Sequence, residues 1–203
     1  MIDIFNSPKL EQYSYLRDVV EVARELLGKT FIRKINGQTL AGTIVEVEAY
    51  DEDDRASHSF NGRSLRNSVM FEPGGLLYVY CIYGVHFCCN IVTGKADYGA
   101  AVLIRAIEPL NHFDLLAKNR FNKTIINNKE IINLSNGPAK ICQAFKIGRS
   151  ENGTNLHGDS IYILDTPKLK DNQIIKTTRI GISKSQELPW RFYIKDNNYV
   201  SRK

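Results

Sequence analysis

Cysteine, histidine and long apolar runs are all scarce in this chain. It has four cysteines, none of them in a CxxC pair, and four histidines. This spacing argues against a zinc site and favours buried free thiols in a reducing compartment. No stretch reaches 18 apolar residues, and the first nine residues lack the apolar core of a signal peptide. We therefore expect a soluble, cytoplasmic protein that makes no membrane contact.

The residues that are abundant indicate an ordinary globular domain with a basic surface. Of 203 residues, 43% are hydrophobic, which is enough for a sizeable core. Lysine and arginine number 27 against 22 acidic residues, a net charge of +5. This balance permits nucleic acid as a partner without requiring it. The length, with no repeat or linker, predicts one domain over residues 1–203.

Short strand-like segments alternate with a few helical ones. An apolar stripe over Leu16–Leu27 predicts an amphipathic helix that ends at Gly28. Asn36-Gly37 predicts a tight hairpin turn. Together these patterns predict an α+β fold with a mainly antiparallel sheet and surrounding helices. The predicted strands are Thr30–Lys34, Thr39–Tyr50, Leu76–Ile82, His86–Val92, Gly99–Glu108, Gly158–Leu164, Arg179–Ile182 and Trp190–Ile194.

The segment Ile44–Tyr50 is a strand that carries two carboxylates. Because strand side chains alternate, Val45, Val47 and Ala49 are expected in the core. The opposite face then holds Ile44 and Tyr50 with the two carboxylates, Glu46 and Glu48. Glu48 beside an aromatic ring could activate water next to a flat ligand. An amphipathic strand with a solvated outer face explains the same pattern, and we assign Glu46 to that role.

Three tyrosines fall within six residues of the next strand pair. Tyr78 and Tyr80 lie in the first strand, and Tyr83 lies at the junction beside Gly84. In an ordinary sheet such rings form the core or cross-strand pairs. Tyr83 is the one we expect to protrude.

Two polar residues interrupt strands that are otherwise apolar. Asn90 needs hydrogen-bond partners if it is buried, so it is either a structural amide or a reader of a ligand edge. Arg105 needs an anion, a carbonyl or water. Glu48 is the candidate partner for Arg105.

Several charged residues occupy predicted loops or a helix start. Arg63 and Arg66 lie in a loop of small polar residues, which suits phosphate contacts, although surface arginines are common. Lys140 follows Pro138 at a helix start, where an anion could bind or where an ordinary capped helix could begin. The aspartates within Asp51–Asp54 are expected in a solvated turn.

Taken in order, these segments resemble the alkyladenine (3-methyladenine) DNA glycosylase family. Each block is weak by itself, whereas their order and spacing are specific and cover nearly the whole chain from Ala23. The matching blocks are Ala23–Lys29 (ARELLGK), Ile44–Tyr50 (IVEVEAY), Ala56–Ser59 (ASHS), Gly62–Asn67 (GRSLRN), Met70-Phe71, Leu77–Asn90 (LYVYCIYGVHFCCN), Ala101–Pro109 (AVLIRAIEP), Asn136–Ala144 (NGPAKICQA), Arg179–Ile182 (RIGI) and Arg191–Tyr193 (RFY).

The resemblance implies a single α+β domain with a curved antiparallel sheet. It implies hydrolysis of the N-glycosidic bond of alkylated or deaminated purines in duplex DNA, without metal or cofactor. The base leaves the stack before it is cut, as in other enzymes that act on bases. Damaged double-stranded DNA is the implied partner. We expect a monomer that works at the bacterial nucleoid.

The resemblance also implies a role for individual residues around the cleaved bond. The family's water-activating glutamate falls on Glu48. Arg105 and the Ile180 backbone match the groups that hold the attacking water with it. Tyr50 matches the aromatic ring that stacks on the flipped base, and Tyr80 matches the opposing ring.

Three further positions match family residues that contact the nucleotide. His58 corresponds to the pocket histidine. Asn90 corresponds to the amide that penalises the exocyclic amine of guanine. Tyr83 corresponds to the residue that fills the gap left in the duplex by the flipped nucleotide.

Three other functions fit parts of the sequence. A catalytically silent nucleic-acid-binding module would share the fold, but a carboxylate near DNA repels phosphate and needs a reason to be there. A metal-dependent hydrolase could use Glu48 and His58 with the acidic loop. A glycosylase with lyase activity would need an amine nucleophile, and the matched pocket blocks offer no lysine.

Overall fold

The fold is described from a computed structural model, which covers residues 6–124 and 126–202. Within that part of the chain five α-helices surround one large sheet. The helices are α1 (Gln12–Tyr15), α2 (Val19–Leu26), α3 (Phe113–Phe121), α4 (Asn128–Ile132) and α5 (Pro138–Ala144), with 3-10 turns at Ser68–Phe71, Arg149–Glu151 and Asp171–Gln173. The strands are β1 (Thr30–Ile35), β2 (Gln38–Tyr50), β3 (Leu76–Ile82), β4 (His86–Val92), β5 (Ala101–Pro109), β6 (Thr154–Asn155), β7 (Ile161–Leu164), β8 (Ile174–Thr177) and β9 (Arg191–Ile194).

The long strand β2 is the centre of the sheet. The strands run in the order β6-β3-β4-β5-β2-β1-β7, and every described pair is antiparallel. One edge of β2 pairs with β5, while the other pairs first with β1 and then with β9. β8 extends the sheet beyond β9. The predicted α+β fold in a single domain with a mainly antiparallel sheet is confirmed.

Helices α2 and α5 cover the sheet and close the main core. α2 begins at its cap Asp18, whose carboxylate accepts bonds from the Val20 and Glu21 amides, and it packs on β2. α5 begins with Pro138 at its first turn, as predicted, and packs on β4 and β5. No helix in the described ranges is long and apolar enough to cross a membrane.

A double irregularity in the β2–β5 ladder changes which side chains face the core. Ile44 pairs with Ile107 and Val47 pairs with Ile104, so Val45 is an extra residue on one strand and Arg105 on the other. Ile44 therefore joins Val47 in the main core cluster. The predicted simple alternation was wrong at this point, since Ile44 does not share a face with the carboxylates.

The segment Arg179–Ile182 was predicted as a strand and is instead an irregular loop. Its polar groups are used elsewhere, because Ile180 donates its amide to a glutamate of β2. Ile174–Thr177, which was not predicted, pairs with β9 in its place. The segment after α3 includes the short helix α4, which begins at Asn128. Ile125 lies outside the described residues.

Candidate active site

One face of the sheet carries the residues that form the floor of a cavity. Glu48 on β2 pairs across the ladder with Leu103 on β5, Leu103 with Asn90 on β4, and Asn90 with Tyr78 on β3. Because cross-strand partners point to the same side of a sheet, these four side chains lie in one row. Strands far apart in sequence thus bring a carboxylate, an amide and a phenol together.

The cavity has a volume of about 570 Å³, within the range of small-molecule sites and large enough for a flat bicyclic base. Tyr83 stands at its edge. The structure brings together around it six residues that the sequence predicted for the site, namely Tyr50, His58, Tyr80, Asn90, Arg105 and Ile180.

Glu48 lies beneath this lining and is fully buried. Its Oε2 accepts bonds from the Tyr50 hydroxyl at 2.8 Å and from Arg105 Nη1 at 3.2 Å. Its Oε1 accepts from the Ile180 amide at 2.7 Å. A carboxylate has about four acceptor positions, so three described donors leave room for one more, such as a water.

The Tyr50 hydroxyl is held as a hydrogen-bond donor to Glu48. Burial, and then the charge of Glu48, raise the pKa of the Tyr50 hydroxyl far above its ordinary value. The phenol therefore keeps its proton at neutral pH. Its ring remains available to stack on a flat ligand, because the hydroxyl fixes its orientation from one end.

Glu46 is fully buried, so its assignment to a solvated outer face was wrong. Its Oε1 accepts from Arg105 Nε at 3.1 Å, from Arg191 Nε at 2.7 Å and from the Ser201 hydroxyl at 2.9 Å. Its Oε2 accepts from the Ser201 amide at 2.6 Å. The Glu46 carboxylate is enclosed by Arg191 of β9 and by Ser201, which alternation along β2 cannot reveal.

Arg105 links the two glutamates, and the predicted partnership with Glu48 is confirmed. Its position at the irregularity of β5 places it between them. Burial opposes its charge, yet Glu48 and then Glu46 raise its pKa above the ordinary value. We call Arg191, Glu46, Arg105 and Glu48 the charged row; opposite charges alternate along it, and every member is less than 9% exposed.

Arg179 fixes the loop that brings Ile180 to Glu48, and no role was predicted for it from the sequence. It forms a fully buried ion pair with Asp54 and donates to the Ala49 carbonyl at 2.8 Å. Its guanidinium lies 4.6 Å from the centre of the Tyr50 ring, a cation–π contact that braces the ring.

The expected solvated turn at Asp51–Asp54 was therefore wrong for at least two aspartates. Asp54 is 3% exposed because of Arg179, and Asp51 is 9% exposed, with a carboxylate oxygen 2.6 Å from the Tyr98 hydroxyl that donates to it. Arg179 and Arg191 both lie in blocks quoted for the family resemblance, and this was the available signal for them. No sequence pattern indicated a role for Ser201.

Histidine and tyrosine side chains build a second wall of the cavity. His58 Nδ1 lies 3.1 Å from the Tyr78 hydroxyl, and its ring meets that of Tyr80 edge-on at 4.5 Å between centres. Burial, and then the charge of Arg66, lower the pKa of His58, so its neutral form is favoured. The His58 carbonyl accepts a hydrogen bond from the side-chain amide of Asn67 at 2.8 Å, which anchors this loop.

Asn90 is 5% exposed and contributes its amide to the cavity lining. Its Nδ2 donates to the Tyr78 carbonyl at 3.1 Å. One of its two amide hydrogens is thus used inside the sheet, which fixes the plane of the group. Both roles considered for Asn90 fit this geometry, because a bonded amide can still present its other hydrogen to a ligand.

The hairpin between β3 and β4 projects at the mouth of the cavity. Tyr83 is 86% exposed, as the sequence predicted, and Val85 is 71% exposed. Tyr83 has φ of 53°, a left-handed conformation that is uncommon for a bulky residue. Arg66 donates to the Cys81 carbonyl at 3.2 Å and ties the neighbouring loop to this hairpin. We call Tyr83, Val85 and Arg66 the rim.

The other two cations predicted to meet DNA already have partners. Arg63 pairs with Asp97 at 2.7 Å and donates to the Phe71 carbonyl at 3.1 Å. Lys140 donates to Asn133 at 3.0 Å and to Asn136 at 2.7 Å. Burial, and then Arg120, lower the pKa of Lys140. Their contact with phosphate stays a prediction.

The described residues contain no group of three or more His, Cys, Asp or Glu side chains that could hold a metal ion. Cys88 lines the cavity, and burial raises the pKa of its thiol to about 11, which makes it a poor nucleophile. Glu48, with its three described hydrogen-bond donors, offers a carboxylate for acid–base chemistry at this site.

Comparison with known proteins finds strong similarity over nearly the whole chain. The family model described as methylpurine-DNA glycosylase matches residues 13–198. A Clostridium beijerinckii protein, provisionally named a 3-methyladenine DNA glycosylase, is 45% identical over 201 residues, which is 96% of this chain and 99% of that protein. Proteins with the same provisional name from Clostridium botulinum and Carboxydothermus hydrogenoformans are 47% and 44% identical, again over 96% of this chain and 99% of their own.

Proposed function

The chain belongs to the methylpurine-DNA glycosylase family, and from that premise we propose that it excises alkylated or deaminated purines from duplex DNA. It is a DNA glycosylase and a hydrolase. The proposed substrates are 3-methyladenine, 7-methylguanine, hypoxanthine and ethenoadenine. The product is an abasic site, and the protein acts as a monomer at the nucleoid of a bacterial cytoplasm.

The reaction is a hydrolysis at the anomeric carbon of the flipped nucleotide. Water attacks C1′ from the face opposite the base, the bond from C1′ to the purine nitrogen breaks, and the free base leaves with the bonding electrons. Glu48 accepts a proton from the water and stabilises the positive charge that develops on the sugar. A carboxylate with one acceptor position left among fixed donors is the observation that carries this proposal.

The cavity walls select and hold the base. Tyr50 and Tyr80 offer aromatic faces, and His58 contacts the nucleotide from the side. Asn90 presents an N–H donor, which repels the exocyclic amine of guanine and so protects the normal base. Tyr83 enters the duplex where the nucleotide was, because flipping costs a few kcal/mol and an inserted ring offsets part of that cost.

The test is release of free base from duplexes that each contain one of the four lesions, with enzyme in excess. We expect release that persists in EDTA, and strand cleavage that appears only after alkali. Loss of release in EDTA would indicate a metal-dependent hydrolase, and strand cleavage without alkali would indicate a lyase. Tight binding of lesion duplexes without release of any base would identify a silent binding module and overturn the proposal.

A further inference from the structure

Residues 197–202, here called the strap, form hydrogen bonds with two members of the charged row, Glu46 and Arg191. The described hydrogen bonds of the strap reach side chains of β2, β5 and β9. Its Ser201 donates to Glu46 through both its amide and its hydroxyl. Arg191 donates to the Arg202 carbonyl, and Asn197 donates to Glu108 at 2.7 Å. Ser201 lies outside residues 13–198, which the family model matches.

Each nitrogen of Arg105 has a different acceptor. Nε donates to Glu46, Nη1 to Glu48 and Nη2 to the Ser201 hydroxyl at 3.4 Å. A guanidinium is a rigid planar fork, so acceptors on two of its nitrogens fix the direction of the third. Arg105 therefore reaches Glu48 with a single N–H and does not form the two parallel bonds that an arginine and a carboxylate commonly make.

This single bond matters for the acceptor position that remains on Glu48. A bidentate Arg105 would place a second N–H on the carboxylate and fill the position that the attacking water needs. Glu46 competes with Glu48 for the same guanidinium, and it does so most effectively while it is itself held in place. Arg191 holds it from one side and Ser201 from the other.

We propose that Ser201 is a positioning residue for excision: through Glu46 and Arg105 it keeps an acceptor position of Glu48 open for water. This inference rests on the proposed function. It makes Ser201 alone among the strap residues a part of the machinery of the chemical step, although Ser201 does not belong to the cavity lining. Base binding, which involves Tyr50 and Tyr80 on the cavity side, does not depend on it.

Glu46→Gln is the obvious variant, but it places two buried arginines beside a neutral amide and can fail to fold. Ser201→Ala is milder, because the Ser201 backbone amide still holds Glu46 while Arg105 Nη2 loses its acceptor. Ser201→Thr restores the hydroxyl. Asn197→Ala is the matched control, since it removes a strap contact that involves Glu108 and not the charged row.

The experiment measures single-turnover excision of hypoxanthine, affinity for the same duplex and thermal stability for all three variants. We expect Ser201→Ala to slow excision about tenfold, the effect of one hydrogen bond to a charged group, with unchanged affinity. Ser201→Thr should restore the rate to within about threefold of the wild-type value. That difference corresponds to less than half of the change in activation free energy that a tenfold change in rate requires. Asn197→Ala should lower the melting temperature and leave the rate unchanged.

The inference alone would be overturned by equal rates for wild type and Ser201→Ala, by a loss of rate that Ser201→Thr does not restore, or by a loss of rate that Asn197→Ala reproduces. A change in affinity in place of rate would overturn it as well, because it would place the strap in DNA binding. If the wild-type protein releases no base from any of the four lesion duplexes, the proposed function fails, and the inference fails with it.

Discussion

The charged row under the cavity and the rim at its mouth are opposite kinds of surface. In the row, Glu46 and Glu48 are fully buried, and each described charge is paired. On the rim, Tyr83 is 86% exposed and adopts a left-handed backbone conformation in the free protein. One region is completed when the chain folds, whereas the other presents apolar surface that folding leaves uncovered.

The charged row and the rim therefore contribute to different free energies, that of folding and that of binding. Desolvation of the row is offset during folding by fixed donors, so the polar environment of the reaction is already arranged before substrate arrives. Under the proposed function, the exposed rim would gain contacts only when DNA covers it. Changes in the row should therefore alter the rate of excision or the free energy of unfolding, and changes in the rim should alter DNA binding.

The largest effect should come from Glu48→Gln. The amide keeps the shape of the side chain but cannot take a proton from water, and a positioned acid–base group contributes roughly 10²–10⁴-fold. We expect single-turnover excision of hypoxanthine to fall at least 10²-fold, with retained affinity for the lesion duplex. Glu72→Gln, at an exposed glutamate, serves as the control. Near-normal excision by Glu48→Gln would mean that a different group activates the water.

The next effect is on stability and concerns the buried pair of Asp54 and Arg179. Asp54→Ala leaves a buried guanidinium without its anion, which should lower the free energy of unfolding by about 3–5 kcal/mol. Asp159→Ala breaks an exposed pair with Lys9 and should have no measurable effect. Urea denaturation of both variants measures the difference. Equal stabilities would show that burial does not govern the strength of these ion pairs.

Tyr83→Ala should weaken binding of lesion duplex about tenfold, since the flipped state loses part of the compensation for a cost of a few kcal/mol. Stability should hardly change because the ring is exposed. Tyr13, an exposed tyrosine of α1, gives the matched control Tyr13→Ala. A lower melting temperature with unchanged affinity would assign Tyr83 to the core and remove it from the rim.

Asn90→Ser should change substrate preference more than rate. Loss of the amide donor removes its repulsion of the guanine amine, so excision of undamaged guanine relative to hypoxanthine should rise about tenfold. Competition between the two purines in one reaction gives the ratio directly. If the ratio is unchanged, the bond from Asn90 to the Tyr78 carbonyl is its whole function.

The smallest effect concerns the salt dependence of binding to undamaged duplex. Each phosphate neutralised by a cation contributes about −0.9 to the log–log slope of affinity against salt. Arg66→Met should make the slope shallower by about that amount. Arg63→Met should change it less, because Asp97 already pairs with Arg63. A slope near zero for the wild-type protein would mean that these cations do not face DNA.

The sequence by itself determined the elements whose rules are local. Asn36-Gly37 forms the predicted tight turn, with positive φ at both residues. The bounds of β3 and β4, Leu76–Ile82 and His86–Val92, agree with the prediction, because β-branched and aromatic residues there are interrupted only by the turn at Gly84. The resemblance named the residues that line the cavity, since it depends on order and spacing along the chain.

Only the tertiary structure decided what covers each face and where the ladder is irregular. Alternation along β2 places Glu46 and Glu48 on the same face, yet only Glu46 bonds to Arg191 and Ser201, which lie 145 and 155 residues later in the described chain. Arg179 reaches Asp54 across 125 residues. A strand's period tells which side chains share a face, but the partners that bury a charge come from distant segments whose approach no local pattern records.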